Sequence, residues 1–277
     1  MKKKNRIAVI IVLVTMLLSL SGCSIVDKAK IKLNMKNLDF EYFNQNKVDK
    51  VVIQSARDTS FRFMVTDKNT IKQVYDLLSS AKVVSGKADY DSDYIFEVYI
   101  GDKVKKFNYI VGAYDSDKGN FYDENKQYIV SKRLDNDIIQ NLEISNRKPM
   151  NFKNVYYESI QKVIEKNKDY LNKGGKSVGI DISGDVDVTQ YQYSIDIADF
   201  MNNVTEMVPK ANKINKDREK YDIIVSVRTY GFKTTKYKSI ITIENKTDKS
   251  QIVTYVDCLN ESNTWQINLL SKKPSNW

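Results

Sequence analysis

Residues 221–270 read YDIIVSVRTYGFKTTKYKSIITIENKTDKSQIVTYVDCLNESNTWQINLL, and apolar residues alternate with polar ones along most of this stretch. Alternation with a period of two is typical of strands that bury one face. Four runs follow the pattern: Tyr221 to Thr229, Lys236 to Glu244, Gln251 to Asp257 and Thr264 to Leu270. Short polar turns separate the runs, and such turns favour antiparallel neighbours. The stretch therefore predicts a four-stranded antiparallel meander.

A long helix is expected ahead of the meander. Apolar residues recur at near-helical spacing from Val155 to Leu171, and Gly174 and Gly175 then end the pattern. A short strand is predicted at Val178 to Ile182. Residues 187–209 combine strand-like alternation with helical spacing, so we expect a strand that enters a helix. These elements make up a C-terminal α+β unit over residues 151–277.

The C-terminal unit resembles the cystatin-like and NTF2-like domains found in bacterial lipoproteins. The resemblance covers residues 151–270 and rests on a leading helix, the long meander and the ending Thr264-Trp265-Gln266-Ile267. It implies a curved sheet that encloses a pocket for a small ligand.

A second α+β unit is predicted over residues 41–147. Asp67 is a plausible N-cap for a helix that runs to about Ser80, and a second helix is expected near Asp135 to Leu142. The predicted strands are Val48 to Gln54, Phe61 to Val65, Tyr94 to Ile100, Val104 to Val111, Phe121 to Tyr122 and Gln127 to Val130. A polar boundary with Pro149 separates the units. The fold class is therefore α+β, with two small domains that each pack an antiparallel sheet with one or two helices.

The N-terminus has the layout of a secretory signal. Residues 1–22 read MKKKNRIAVIIVLVTMLLSLSG, a basic start followed by an apolar stretch that is too short for a comfortable membrane span. The end, Leu20-Ser21-Gly22-Cys23, resembles the lipobox of bacterial lipoproteins. That resemblance implies cleavage before Cys23 and a lipid on the Cys23 thiol, with residues 23–40 as the lipidated cysteine and tether.

The lipobox implies a location on the outer face of the bacterial cytoplasmic membrane. Two acyl chains anchor a protein stably, whereas one chain binds only marginally. The whole chain resembles an uncharacterised family of lipoproteins from clostridial-type Gram-positive bacteria. A plain secretory peptide or a short anchor helix is the alternative interpretation of the same residues.

The amino-acid composition excludes several kinds of catalytic and metal site. The 277 residues contain no histidine and only two cysteines, so histidine-based triads and histidine-ligated metals are excluded. With Cys23 lipidated, Cys258 has no intrachain partner, and in its strand-like run we expect it to be a small buried residue. Removal of residues 1–22 lowers the net charge from +9 to +5. Lysine far outnumbers arginine and the chain is exported, so nucleic acid is not expected as a partner.

Acidic segments suggest calcium, but none completes a known loop. The segment Asp115 to Asn120 begins like an EF-hand loop, yet glycine stands at position five and Lys126 at position twelve. The run Asp89, Asp91 and Asp93 also lacks the required glycine and glutamate. An irregular calcium site stays open, as does a spatial carboxylate pair for glycoside hydrolysis. We predict no resident cofactor and no catalytic residue.

The sequence favours a non-enzymatic, lipid-anchored binding or assembly module with an envelope protein or glycan as partner. Two alternatives stay open: a carboxylate-dependent cell-wall hydrolase, and a small-ligand binder with an NTF2-like pocket. The 18 tyrosines and 10 phenylalanines suit either an aromatic binding groove or a small core.

Replacing Cys23 with alanine should abolish membrane anchoring, because the acyl acceptor is lost. The measurement is the distribution of the protein between the membrane and soluble fractions of the native host. Retention of a signal-cleaved, acylated Cys23→Ala protein in the membrane would contradict the anchor.

Overall fold

The computed structural model describes residues 36–114, 117–143, 148–275 and 277. The helices are α1 (Glu41–Asn44), α2 (Lys68–Ser79), α3 (Gln140–Glu143, preceded by a π-helical turn over Leu134–Ile139), α4 (Phe152–Lys166), α5 (Lys168–Asn172) and α6 (Ser194–Met207). The strands are β1 (Lys50–Ser55), β2 (Arg62–Val65), β3 (Lys82–Val84), β4 (Tyr94–Ile100), β5 (Lys103–Tyr109), β6 (Phe121–Tyr122), β7 (Gln127–Ile129), β8 (Val178–Asp181), β9 (Ala211–Lys213), β10 (Ile223–Lys233), β11 (Lys236–Asn245), β12 (Gln251–Glu261) and β13 (Thr264–Leu270). They form two sheets with helices packed on them, so the predicted α+β fold in two parts is confirmed.

The N-terminal unit contains a seven-stranded antiparallel sheet in the order β2-β1-β4-β5-β6-β7-β3. Helix α2 begins where expected, because the side chain of Asp67 accepts a hydrogen bond from the backbone N–H of Thr70. Its apolar face, with Val74 and Leu78 fully buried, packs into the unit's core. The edge strand β3 was not predicted, because Lys82–Val84 is short and largely exposed.

The C-terminal unit contains a six-stranded sheet in the order β13-β12-β11-β10-β8-β9. The four-stranded antiparallel meander β10 to β13 is confirmed. The expectation of a wholly antiparallel sheet is wrong, because β8 runs parallel to both β9 and β10. Helix α6 lies between β8 and β9 in sequence, and a helical crossover returns the chain in the same direction as before.

Two predicted elements differ in detail. The strand expected at the start of residues 187–209 is wrong, since the chain there makes a short 3₁₀ turn at Thr189–Tyr191 before α6. The alternating tyrosines instead place Tyr191 in the core and turn Tyr193 towards the N-terminal unit. The long helix before β8 is interrupted at Asn167, whose side-chain amide donates to the carbonyl oxygen of Val163.

Each sheet has its own hydrophobic core. The N-terminal core gathers aromatic residues such as Phe40, Phe96 and Phe121, and the C-terminal core gathers residues of α4, α6 and the inner face of the meander. The fully buried tyrosines include Tyr94, Tyr109, Tyr128, Tyr156 and Tyr237. Much of the aromatic content therefore fills these cores, which favours the core interpretation of the aromatic residues over a continuous aromatic groove.

Replacing Ile241 with alanine should lower the free energy of unfolding by about 2–5 kcal/mol, because this fully buried side chain would leave a cavity. Its neighbour Ile240 lies on the opposite, partly exposed face of β11 and provides the matched control. Chemical denaturation should show a loss at Ile240→Ala that is smaller by at least about 1 kcal/mol. Equal losses would contradict the assignment of the two faces.

Candidate functional site: a cleft between the two units

A cleft lies where the N-terminal and C-terminal units meet. It consists of two adjoining depressions of about 330 and 550 Å³, both lined by Arg57, Asp91, Ile197 and Lys213. Volumes of about 300–1,000 Å³ are common for sites that bind small molecules. One wall comes from the loops after β1 and before β4, and the other comes from α6 and β9.

The two walls are joined by a buried carboxylate. Asp93 is 2% exposed and precedes β4. It accepts hydrogen bonds from the guanidinium Nη1 of Arg57 at 2.6 Å and from the backbone N–H groups of Val111 and Ser194 at 2.8 Å each. Ser194 is the first residue of α6, and the N-cap residue Tyr193 makes no side-chain capping bond. A carboxylate from the N-terminal unit therefore satisfies a free N–H at the start of a helix in the C-terminal unit.

The Ser194 hydroxyl extends this contact. Its Oγ accepts a hydrogen bond from Nη2 of Arg57 and donates one to the backbone oxygen of Asp91 at 2.7 Å. We call the group formed by Arg57, Asp93 and Ser194 the latch. It fixes the guanidinium of Arg57 and the loop of Asp91 relative to α6.

Apolar contacts lie beside the latch. The rings of Tyr94 and Tyr193 are 6.3 Å apart between centroids. Gly112 has a φ of +87°, and a Cβ at that position would stand 3.3 Å from Cδ1 of Ile195. Close approach of α6 to this turn therefore suits glycine on two grounds, its backbone conformation and its lack of a side chain.

Burial raises the pKa of the Asp93 carboxyl, while the charge of Arg57 and the two backbone donors lower it. Arg57 is thus the largest single influence that lowers the pKa of this buried group. Its own side chain is 19% exposed and reaches the cleft, so the latch presents one face of a cation to the site.

Lys213 is the second cation of the cleft, at the end of β9. It is half-buried, and within the described part of the chain its ammonium group has neither a hydrogen bond nor an ion pair. Burial and the positive charge of Arg57 lower its pKa, and the negative charge of Asp91 opposes that shift. A half-buried cation beside a second cation is electrostatically costly unless an anion joins them. This pair can therefore hold a carboxylate or a phosphate group.

The wall that contains Arg57 also carries acidic and aromatic groups. Asp89, Tyr90 and Asp91 follow one another in the loop before β4, and all three line the cleft. Tyr90 is 38% exposed. Over the described residues neither Asp89 nor Asp91 forms a side-chain ion pair. The cleft thus contains both signs of charge.

The predicted lipidation site, Cys23, lies outside the described residues, and so do the tether up to residue 35 and residues 115 and 116 of the first calcium-like loop. In the second acidic run, Asp93 turns inward to the latch while Asp89 and Asp91 line the cleft. Where the structure is described, histidine, cysteine and acidic residues form no group of three that is suited to a metal ion.

Cys258 lies on β12 and is 1% exposed, so the expectation of a small buried residue is confirmed. Its sulfur is 3.6 Å from the Ser159 hydroxyl, and burial raises the pKa of the thiol to about 11. A thiol with such a pKa is protonated near neutral pH and is a poor nucleophile.

A second buried carboxylate, Asp185, lies inside the C-terminal unit. Thr229 donates to it from its backbone N–H and from its hydroxyl, both at 2.8 Å. Burial raises the pKa of Asp185. It is absent from the residues that line the cleft, and its contacts belong to the interior network with Tyr156 and Tyr237.

Sequence reasoning did not identify Arg57, Ser194 or Lys213. Lysine and aspartate are abundant throughout this chain, so neither Lys213 nor Asp93 stands out by type. The run Asp89 to Asp93 was interpreted only for calcium. An aspartate immediately before a predicted strand was the available signal, but its partner lies 101 positions away in sequence.

Residues 44–148 match the family model described as YhfM protein. The matched stretch includes β1 to β7 and covers less than half of the 277 residues, so the N-terminal unit is similar to that family. No curated protein and no solved structure matches the chain significantly. The resemblance of the C-terminal unit to cystatin-like and NTF2-like domains therefore stays a prediction. None of the helices in the described residues has both the length and the hydropathy to cross a membrane.

Replacing Arg57 with methionine should raise the pKa of Asp93 further, because its only charged partner in the latch is lost. A raised carboxyl pKa means that the folded state binds the proton more tightly, so stability falls as pH rises above the ordinary value of 3.8. We expect a loss of about 3 kcal/mol at pH 7 and a clearly smaller loss at pH 4.

The measurement is chemical denaturation at both pH values. Arg62→Met is the control, because Arg62 pairs with Glu97 at the surface and its loss should cost at most about 1 kcal/mol. A pH-independent loss at Arg57→Met would show that Asp93 does not depend on the guanidinium.

Proposed function

We propose that this chain is a lipid-anchored binding module on the outer face of the bacterial cytoplasmic membrane, and that the cleft between its two units is the ligand site. The anchor rests on the Leu20-Ser21-Gly22-Cys23 lipobox. The ligand site rests on one observation above all: the ammonium group of Lys213 is half-buried, lines the same cleft as Arg57, and has no ion-pair partner among the described residues.

An anion would supply the charged partner that the ammonium group of Lys213 lacks among the described residues. Arg57 already bonds Asp93 and Ser194, so its position is fixed before any ligand arrives. A carboxylate or phosphate placed between Lys213 and Arg57 would form charge-assisted hydrogen bonds, and these are stronger than neutral ones. A preformed site also loses less conformational entropy on binding.

A binding role fits the carboxylates better than the hydrolase alternative does. Burial raises the pKa values of Asp93 and Asp185, and such shifts often mark general acids. Neither lines the cleft, and each accepts hydrogen bonds from groups of the fold. Their shifted pKa values have a structural explanation.

The chain without its lipid is the material for the test. The described residues of both cores and of the latch begin at Phe40, and the exported chain with Cys23→Ala is the material studied in solution. Acetate and inorganic phosphate are the probes, titrated while backbone amide chemical shifts are recorded. Shifts should concentrate at the start of α6 and around β9.

Lys213→Met should weaken binding of both anions by about tenfold, the effect of one charged hydrogen bond. Lys233→Met, an exposed lysine at the end of β10, is the matched control and should change nothing. Equal affinity in the Lys213→Met chain, or shifts spread evenly over the surface, would overturn the proposed site.

A further inference from the structure

The cleft is lined by charges of both signs. Lys213 of β9 and Arg57 of the loop after β1 line the same depression as Asp89 and Asp91. The charge of Asp91 reaches Lys213, yet no ion pair joins the two residues. Opposite charges that share a cleft without pairing are both free to bind groups of a ligand.

We propose that the cleft binds a short peptide-like zwitterion, with its carboxylate against Lys213 and its ammonium group against Asp89 and Asp91. The inference rests on the proposed function, because it uses the same site, and it adds the chemical class of the ligand.

A ligand with one sign of charge fits this cleft less well. A simple anion that approaches Lys213 also meets the field of two carboxylates, and a simple cation meets Arg57, Lys87 and Lys213. A zwitterion of matching orientation gains at both ends, and the reversed orientation is penalised at both ends. Such complementarity gives specificity as well as affinity.

Further groups that line the cleft suit a peptide backbone. Ser183 and Asn215 line the larger depression, and they provide a hydroxyl and an amide that can both donate and accept hydrogen bonds. Tyr90 presents an exposed ring at the acidic end, where it can lie against a flat peptide group. These groups are typical of sites that orient a polar ligand through a few placed contacts.

The latch orders part of the cleft. The backbone oxygen of Asp91 accepts from the Ser194 hydroxyl, and Ser194 also accepts from Arg57. The acidic loop and Arg57 are therefore both held by Ser194, while Lys213 ends β9 outside the latch. Such preorganisation lowers the entropy cost of binding.

Four matched probes test the inference on the non-acylated Cys23→Ala chain. They are alanyl-alanine, its N-acetyl derivative, its C-terminal amide, and the derivative blocked at both ends. Amide chemical shifts give the dissociation constant of each. We expect alanyl-alanine to bind at least fivefold more tightly than either singly blocked probe, and the doubly blocked probe to bind most weakly.

Variants assign each end of the ligand. The double variant Asp89→Asn, Asp91→Asn should remove the preference for the free amine and keep the preference for the free carboxylate. Lys213→Met should do the reverse. Asp102→Asn, in the exposed β4–β5 turn, is the charge-matched control and should leave all four affinities unchanged.

The failure of this inference differs from the failure of the proposed function. If the N-acetyl probe binds as tightly as alanyl-alanine and its binding still requires Lys213, the zwitterion is wrong and the anion site stands. If acetate binds at Lys213 but no dipeptide does, the peptide class is wrong. If neither acetate, phosphate nor any dipeptide responds to Lys213→Met, the proposed function fails as well.

Discussion

The hydrogen bonds to the Asp93 carboxylate determine how the two sheets are related. Three donors converge on this buried group, and they come from the loop after β1, from the turn after β5 and from the first residue of α6. An ionised carboxylate in the interior is costly unless its oxygens are fully bonded. The arrangement therefore tolerates little displacement of α6, because a shift would take the Ser194 N–H away from the carboxylate and the Ser194 hydroxyl away from the guanidinium.

The latch also affects the parallel part of the C-terminal sheet. Because α6 connects β8 to β9, fixing the start of this helix also constrains the position of β9 beside the N-terminal unit. Lys213 ends β9, and Arg57 belongs to the latch itself. The same helical crossover that makes this sheet mixed thus brings a lysine of one unit to an arginine of the other.

The regular elements could be predicted from local pattern, whereas the cleft could not. The meander alternates over long strands, and the cap at Asp67 acts within three residues, so one stretch of sequence contains the whole signal. Strand β9 is three residues long within a lysine-rich connection, and β8 pairs with it across a helix. Parallel pairing and the contact from Asp93 to Ser194 are set by tertiary packing, which no local period encodes.

The cleft differs in its ion pairing from other charged parts of the described chain. Elsewhere on the chain Arg62 pairs with Glu97, Arg218 with Asp181 and Lys153 with Asp196. Several of these pairs are exposed to water and contribute little to stability. Lys213 is more costly to leave unpaired because it is half-buried, yet Asp91 stays out of ion-pair range of it. Direct pairing would lower that cost. The backbone oxygen of Asp91 is held by the Ser194 hydroxyl, and the zwitterion that we propose would place a charged group against each of the two side chains, those of Lys213 and Asp91.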